Sequence, residues 1–283
     1  MDADAFWQGL PKLDYVEGKN VLVDRRYAEG KEDLIPSLVA ELIQLKVDVI
    51  VSATIRGIRA AKQATKTIPI VMITTADPVA AGLVDSLAHP GGNITGLTRL
   101  TRELSGKRLE LLKEVVPRIS RVGVLSSSGE TTGSSFTYYE AAARAFKVQL
   151  QSIEFQAPNP DFENAFRAAA KGRVNAIIAG TSAVTISYRK TIADLALKNR
   201  LPSMCERSDF VEAGCLMSYS ADEFESYRRA AIYVDKILKD TKPADLPVEQ
   251  PMKFELVFNL KTANQIGITI PQWPLMKADR VIR

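Results

Sequence analysis

A chain with one histidine and two cysteines has few routes to covalent or metal chemistry. His89 sits in the turn HPGG, with no cysteine or carboxylate at the spacing a catalytic zinc site needs, and reads as a turn residue. No GxSxG elbow accompanies it, so neither a Ser-His-Asp nor a Cys-His arrangement is available. Cys205 and Cys215 are too few for a disulfide framework; their spacing would suit a bridge between two strand ends, and buried free thiols are the favoured reading. No GxGxxG follows an early strand and no GxxxxGK[ST] occurs, which removes the common nucleotide-binding signatures. The expectation is a protein that is not an enzyme and carries no cofactor or metal.

What recurs instead is a set of small polar loops. They read Ser52-Ala53-Thr54, Thr74-Thr75-Ala76-Asp77, Ser126-Ser127-Ser128, Gly180-Thr181-Ser182, Cys205-Glu206-Arg207 and Ser218-Tyr219-Ser220. Each follows an apolar run that reads as a strand. In open parallel sheets, ligands bind beyond the carboxyl ends of the strands. Hydroxyls, carboxylates and an aromatic gathered there can surround a polar small molecule. For any single residue the alternative is helix capping, since Ser, Thr and Asp are the preferred N-caps; for the set, a cleft is the better explanation. The ligand-contact candidates are Ser52, Thr54, Thr75, Asp77, Ser127, Ser128, Thr181, Glu206 and Tyr219.

The elements that must position these loops alternate strand and helix, which implies α/β architecture with parallel sheets. Strands are expected at 21–24, 47–53, 68–74 and 93–97. Between them lie helices over 34–45, with Leu34, Leu38, Leu42 and Leu45 on one face, and over 56–65. A second series begins with a helix over 104–116, stopped by Pro117. It continues through strands at 121–125, 148–155, 174–179, 201–205 and 215–219, with helices over 138–146, 161–171 and 186–199. A long helix over 223–239, a Pro-rich connector, the strand KFELVFNL and a helix ending near Gly267 complete the chain. Two such series imply two similar lobes, residues 1–98 with 221–250 and residues 99–220 with 251–283.

Bulk properties exclude other classes. A formal charge of +4 over 283 residues, with acidic and basic side chains interspersed, is not the basic stripe of a nucleic-acid binder. No apolar run approaches the roughly 20 residues that span a bilayer. The opening MDADAFWQGLPKLDYVEGKN lacks the basic start and apolar stretch of a secretory signal.

The segments EGKNVLVDRRYAEGK, IPIVMITTADPVAAGLV, HPGGNITGL, GKRLELLKEVVP and PADLPVEQPMKFELVFNLKTANQIGITIP resemble, in order, the ABC transporter substrate-binding protein family that includes tryptophan-binding lipoproteins. The resemblance implies a type I periplasmic-binding-protein fold: two Rossmann-like lobes joined by three crossing segments, closing on a solute. It also implies a monomer, placed in the periplasm or anchored outside the cytoplasm, that delivers to ABC permease subunits in the membrane and binds no nucleic acid. Family ligands include aromatic amino acids, so an amino-acid-like or aromatic carboxylate solute is the expected class.

By the same resemblance Asp77-Pro78 matches the family's Asp-Pro loop, where Asp77 would hold an ammonium group or cap a helix. Ser218-Tyr219-Ser220 stands where the family has Ser-Tyr-Gly, so Tyr219 would stack on a ligand or pack in a hinge. Arg56 is unusual at its position and would face a carboxylate or solvent. Ser126-Ser127-Ser128-Gly129 replaces an Asn-Pro-rich loop, a departure in the second lobe. The family's first N-lobe strand and its loop, ahead of the Gly9-Leu10…Tyr15-Val16-Glu17-Gly18 pattern, have no counterpart in this sequence. A compromised first lobe, a rearranged sheet or a strand supplied by a partner chain is expected, and the simplest explanation is a start placed too late or a truncated chain. The alternatives carried forward are a ligand-sensing receptor lobe and a truncated paralogue that binds nothing.

Overall fold

The computed structural model describes residues 2–28, 31–99, 103–127, 135–156, 159–251 and 253–283. The chain divides into two compact units, Met1–Leu100 with Ala221–Lys253, and Thr101–Ser220 with Phe254–Arg283.

Unit 1 opens with α1 (Asp2–Gly9), closed by one 3-10 turn through Pro11 and a left-handed Asp14. After an irregular stretch come α2 (Ile35–Gln44), β1 (Ile50–Ser52), α3 (Ile55–Ala64), β2 (Ile70–Thr74) and β3 (Ile94–Thr98). The three strands form one parallel sheet in the order β1-β2-β3. β2 and β3 are buried along their whole length, as expected of strands covered on both faces. Gly96 is required in β3: its φ is +132°, and a Cβ there would lie 2.2 Å from the Met72 carbonyl oxygen.

Unit 2 contains α4 (Ser105–Val115), β4 (Arg121–Ser127), α5 (Ser135–Ala145), β5 (Gln149–Phe155), α6 (Phe162–Lys171) and β6 (Ala176–Ala179). It continues with α7 (Ala183–Ser187), α8 (Arg189–Lys198), β7 (Ser203–Cys205), α9 (Ser208–Glu212) and β8 (Met217–Ala221). The chain then returns to unit 1 as α10 (Glu223–Leu238), before β9 (Phe254–Asn259), α11 (Leu260–Ile266), α12 (Gln272–Met276) and β10 (Arg280–Ile282) finish unit 2. Its sheet has seven strands in the order β10-β9-β8-β7-β6-β4-β5. The β4–β5, β4–β6, β6–β7, β7–β8 and β9–β10 ladders are parallel.

Strand alternation sorts the cores. In unit 1, Ile70 and Met72 join Val39, Ile58 and Ile94 on the α2–α3 side. Val71 and Ile73 join Phe6, Leu10, Ala231 and Val234 on the α1–α10 side. In unit 2, Val122, Val124 and Ile178 face one cluster with Leu109 and Tyr139, while Leu125, Ile153 and Ile177 face another with Phe166 and Ile192. The return segment also extends unit 1's sheet: Thr98 N–H donates to Glu249 O and Glu249 N–H to Gly96 O, at 3.0 and 2.9 Å.

Four expectations need correction. Val21–Asp24 is not a strand; beyond a single bridge between Glu17 and Val21 it has no ladder partner among the described residues. The buried face of α2 is Ile35, Val39 and Ile43, whereas Leu34 and Leu45 are exposed, so the apolar stripe is rotated by about one residue from the leucine face. The expected helix over 186–199 begins earlier, because Ser182 and Thr185 form a reciprocal capping box that starts α7, and it is interrupted at Tyr188. SDFVEAG, read as a connector, contains α9.

Candidate functional site

At the carboxyl end of the unit 2 sheet, one buried carboxylate organises several loops. Glu206 immediately follows β7 and is only 7% exposed. Its Oε2 accepts the Thr181 N–H at 2.9 Å, fixing the loop after β6. Its Oε1 accepts from the Tyr139 hydroxyl of α5 at 3.3 Å and lies 3.5 Å from Arg108 Nη1 of α4. Arg108 is wholly buried and also donates Nε to the Tyr219 carbonyl of β8 at 2.7 Å. Two helices, the loops after β6 and β7, and β8 itself are therefore linked through Glu206 and Arg108; Ser218-Tyr219-Ser220, expected as a loop, lies within β8. A buried charge is tolerable because it is paired and hydrogen-bonded. Burial, and next to it the charge of Glu206, push the Tyr139 hydroxyl above its ordinary pKa, so it stays a neutral donor.

The neighbouring loops are equally committed. Ser182 Oγ accepts the Thr185 N–H at 3.1 Å, and Thr185 Oγ1 donates to Gly180 O at 2.8 Å. Arg207, buried beside Glu206, forks onto Asp209 at 3.1 and 3.0 Å. The Tyr219 ring stacks on Phe254 with centroids 5.9 Å apart. Ser218 Oγ is buried with no hydrogen-bond partner among the described residues. Ser127 ends β4 half-buried, and Ser128 lies outside the described residues.

In unit 1 the candidates also sit at strand ends. Thr54 Oγ1 caps α3 by accepting the Gly57 N–H at 3.1 Å. Ser52 Oγ lies against that same turn, where a Cβ on Gly57 would come within 2.6 Å of it. Asp77 is exposed, and its Oδ1 accepts the Val79 and Ala80 N–H groups at 2.8 and 3.1 Å. Thr75 is half-buried beside Thr74, whose Oγ1 accepts from Ala76 N at 3.1 Å.

Thr181, Glu206 and Tyr219 are thus brought into one network in unit 2, and Ser52 and Thr54 around one helix start in unit 1. Arg108 and Tyr139 were not singled out from the sequence. Arg108 carried a readable signal: it shares the stripe of Ser105, Leu109, Leu112 and Val115, an arginine in apolar register. Buried Arg99, whose N–H donates to Thr74 O at 2.8 Å, was also passed over at the end of β3.

Cys205 and Cys215 are free and buried, and burial holds the Cys205 thiol well above its ordinary pKa. Among the described residues no group of His, Cys, Asp or Glu is placed to hold a metal ion, and no helix is long and apolar enough to cross a membrane.

A family model described as ABC transporter substrate binding protein matches residues 2–282. A tyrosine-binding protein of Clostridioides difficile is 25% identical over 275 residues, covering 93% of this chain and 75% of that protein. Among solved structures, a conserved domain protein from Vibrio cholerae is 30% identical with a TM-score of 0.87, covering 99% of this chain and 95% of that one. An ABC domain from Streptococcus pneumoniae in complex with L-Trp is 25% identical with a TM-score of 0.84, again over 99% and 95%.

Proposed function

We propose that this chain, which belongs to the ABC transporter substrate-binding protein family, binds a small amino-acid-like or aromatic carboxylate solute and passes it unchanged to an ABC permease. The observation that carries the reading is the Glu206 network, which ties the strand ends of unit 2 together through hydrogen bonds and a buried ion pair. Preorganisation of this kind lowers the ordering cost of binding. Relatives named for tyrosine and L-Trp support the solute class.

In this reading the solute-contacting residues are Ser52, Thr54, Thr75 and Asp77 of unit 1 and Ser127 and Thr181 of unit 2. Asp77 keeps Oδ2 for an ammonium group while Oδ1 holds its turn. Glu206 acts as a positioning residue: both its oxygens are occupied by protein donors, and its influence reaches the solute through the Thr181 loop. Tyr219 offers its ring edge beside Phe254. The protein acts outside the cytoplasm, as its family does, and works as a monomer.

Thermal unfolding against a panel of aromatic amino acids, aliphatic amino acids, benzoates and dicarboxylates tests the proposal. A ligand at 100 times its Kd stabilises by about 2.7 kcal/mol. A saturable shift confined to aromatic amino acids or aromatic carboxylates is the expected outcome. The three-stranded sheet of unit 1 favours one rival, a paralogue that binds nothing. A cooperative transition that no compound moves would select that rival, and turnover of a panel compound would reject both readings.

A further inference from the structure

In a parallel sheet, every turn that leads from a helix into a strand lies at the same end, opposite the loops that follow the strands. In unit 2 these entries read Arg118-Ile119-Ser120-Arg121 at β4, Lys147-Val148-Gln149 at β5 and Lys171-Gly172-Arg173 before β6. None of them contains a carboxylate. Because β4 pairs with both β5 and β6, the entries are neighbours, with strands about 4.8 Å apart. The Gln149 N–H donates to Ser120 O at 2.8 Å and the Asn175 N–H to Arg121 O at 2.9 Å, which ties them together. An open pocket there is lined by Ser120, Arg121, Lys147, Gln149 and Arg173.

The Arg121 guanidinium is held in place. Its Nε and Nη2 donate to Gln149 Oε1 at 3.1 and 2.8 Å, and its Nη1 to Gly172 O at 2.5 Å. Each terminal nitrogen keeps one further N–H. Ser120 Oγ accepts from Asn175 Nδ2 at 3.2 Å, which leaves its own O–H to donate. Lys147 and Arg173 are exposed, and among the described residues neither has an ion-pair or side-chain hydrogen-bond partner. They stand just past α5 and α6 in left-handed backbone, at φ +54° and +55°, each followed by a buried valine, Val148 or Val174. Cations suit the carboxyl ends of helices, but each end carries only about half a negative charge. Even with the ends of α4, α5 and α6 counted, the three cations leave a positive surplus that no carboxylate in the lining offsets.

We propose that this pocket is a second binding site, for a phosphate-type oxyanion carried free or on a lipid headgroup. Arg121 presents a fixed guanidinium, Ser120 a hydroxyl, and Lys147 and Arg173 the remaining charge. Donors converging from three turns match the several oxygens of a tetrahedral group better than the two of a planar carboxylate. The pocket lies at the opposite end of the unit 2 sheet from Thr181 and Glu206, so it is separate from the proposed solute site.

The test uses the full chain without solute. Inorganic pyrophosphate is titrated at constant ionic strength while backbone amide chemical shifts are followed. Sedimentation with phosphatidylglycerol or phosphatidylcholine vesicles runs in parallel. Lys147→Gly with Arg173→Gly removes two cations where the left-handed backbone suits glycine, so the fold is retained. Arg59→Gln with Lys66→Gln, both exposed in unit 1, makes the same change in net charge elsewhere. The expected result is saturable binding that the glycine pair weakens about tenfold or more and the glutamine pair leaves near the parent value. With pyrophosphate, the shifts should centre on the Ser120, Arg121 and Gln149 amides. A response to pyrophosphate assigns the site to free phosphates; one confined to phosphatidylglycerol vesicles assigns it to headgroups. No response to either probe, shifts centred outside the pocket, or a response that the glycine pair weakens no more than the glutamine pair would overturn the proposal. Because no solute is present, none of these outcomes depends on the solute-binding reading.

Discussion

β4 of unit 2 and the Val21–Asp24 run of unit 1 are chemically similar segments with different fates. β4 pairs on both sides, and Val122, Val124 and Leu125 are at most 2% exposed. Val21–Asp24 forms only a bridge at Val21, and its Leu22 is 86% exposed. Strand propensity is weak without a neighbour to complete the ladder and cover the side chains. The same logic explains why β1 stops after three residues while β4 runs for seven. Unit 2 is also pinned by a buried polar network, whereas the ion pairs of unit 1 lie nearer its surface.

The largest effect that would sharpen this contrast is in hydrogen exchange. The Val124 amide should exchange orders of magnitude more slowly than the Val51 amide, since protection ranges from near zero at exposed edges to global stability in central strands. Comparable protection at both would mean that unit 1's edge is covered in solution.

Next in size is Arg108→Leu, which leaves Glu206 buried without its cation. Removing one partner of a buried pair costs about 3–5 kcal/mol. Urea unfolding followed by site-resolved exchange should show the loss in unit 2 amides while unit 1 amides keep their protection.

Helix caps give a matched pair of smaller perturbations. Thr54→Ala removes the cap of α3 in unit 1, and Asp161→Ala the cap of α6 in unit 2, each costing about 1 kcal/mol. If the units open separately, each substitution shifts the exchange of its own unit; a shared shift would show that they unfold as one.

The smallest effect is in acid. Hydrogen bonding from Arg229 holds the Glu249 carboxyl below its ordinary value of 4.5. A depressed carboxyl stabilises fully above the unfolded value, and that contribution disappears as pH falls through the lower folded value. With the two side chains 39% and 29% exposed, the pair contributes less than about 1 kcal/mol. Glu249→Gln should therefore flatten the fall in unit 1 stability below about pH 4.5 and leave unit 2 unchanged; an acid limb identical to the parent protein's would remove the pair from the explanation.

Much of the fold was legible because buried parallel strands announce themselves as continuous apolar runs: IPIVMIT and the strand opening with Arg121 needed no other information. α9 escaped because five residues are too few to show a helical period. The early start of α7 escaped because it is set by a capping box at Ser182 and Thr185, upstream of the apolar period. The site was legible only as positions at strand ends. That Glu206 faces protein donors was not readable, since Arg108 and Tyr139 stand 98 and 67 residues away in sequence.

Titration calorimetry of the purified chain with L-tyrosine and L-tryptophan, followed by recovery of the ligand, tests solute binding without chemistry most directly. One saturable site, with the amino acid recovered unaltered, is the result expected. An altered product would contradict the function, as would the absence of heat and of competition from every aromatic carboxylate offered.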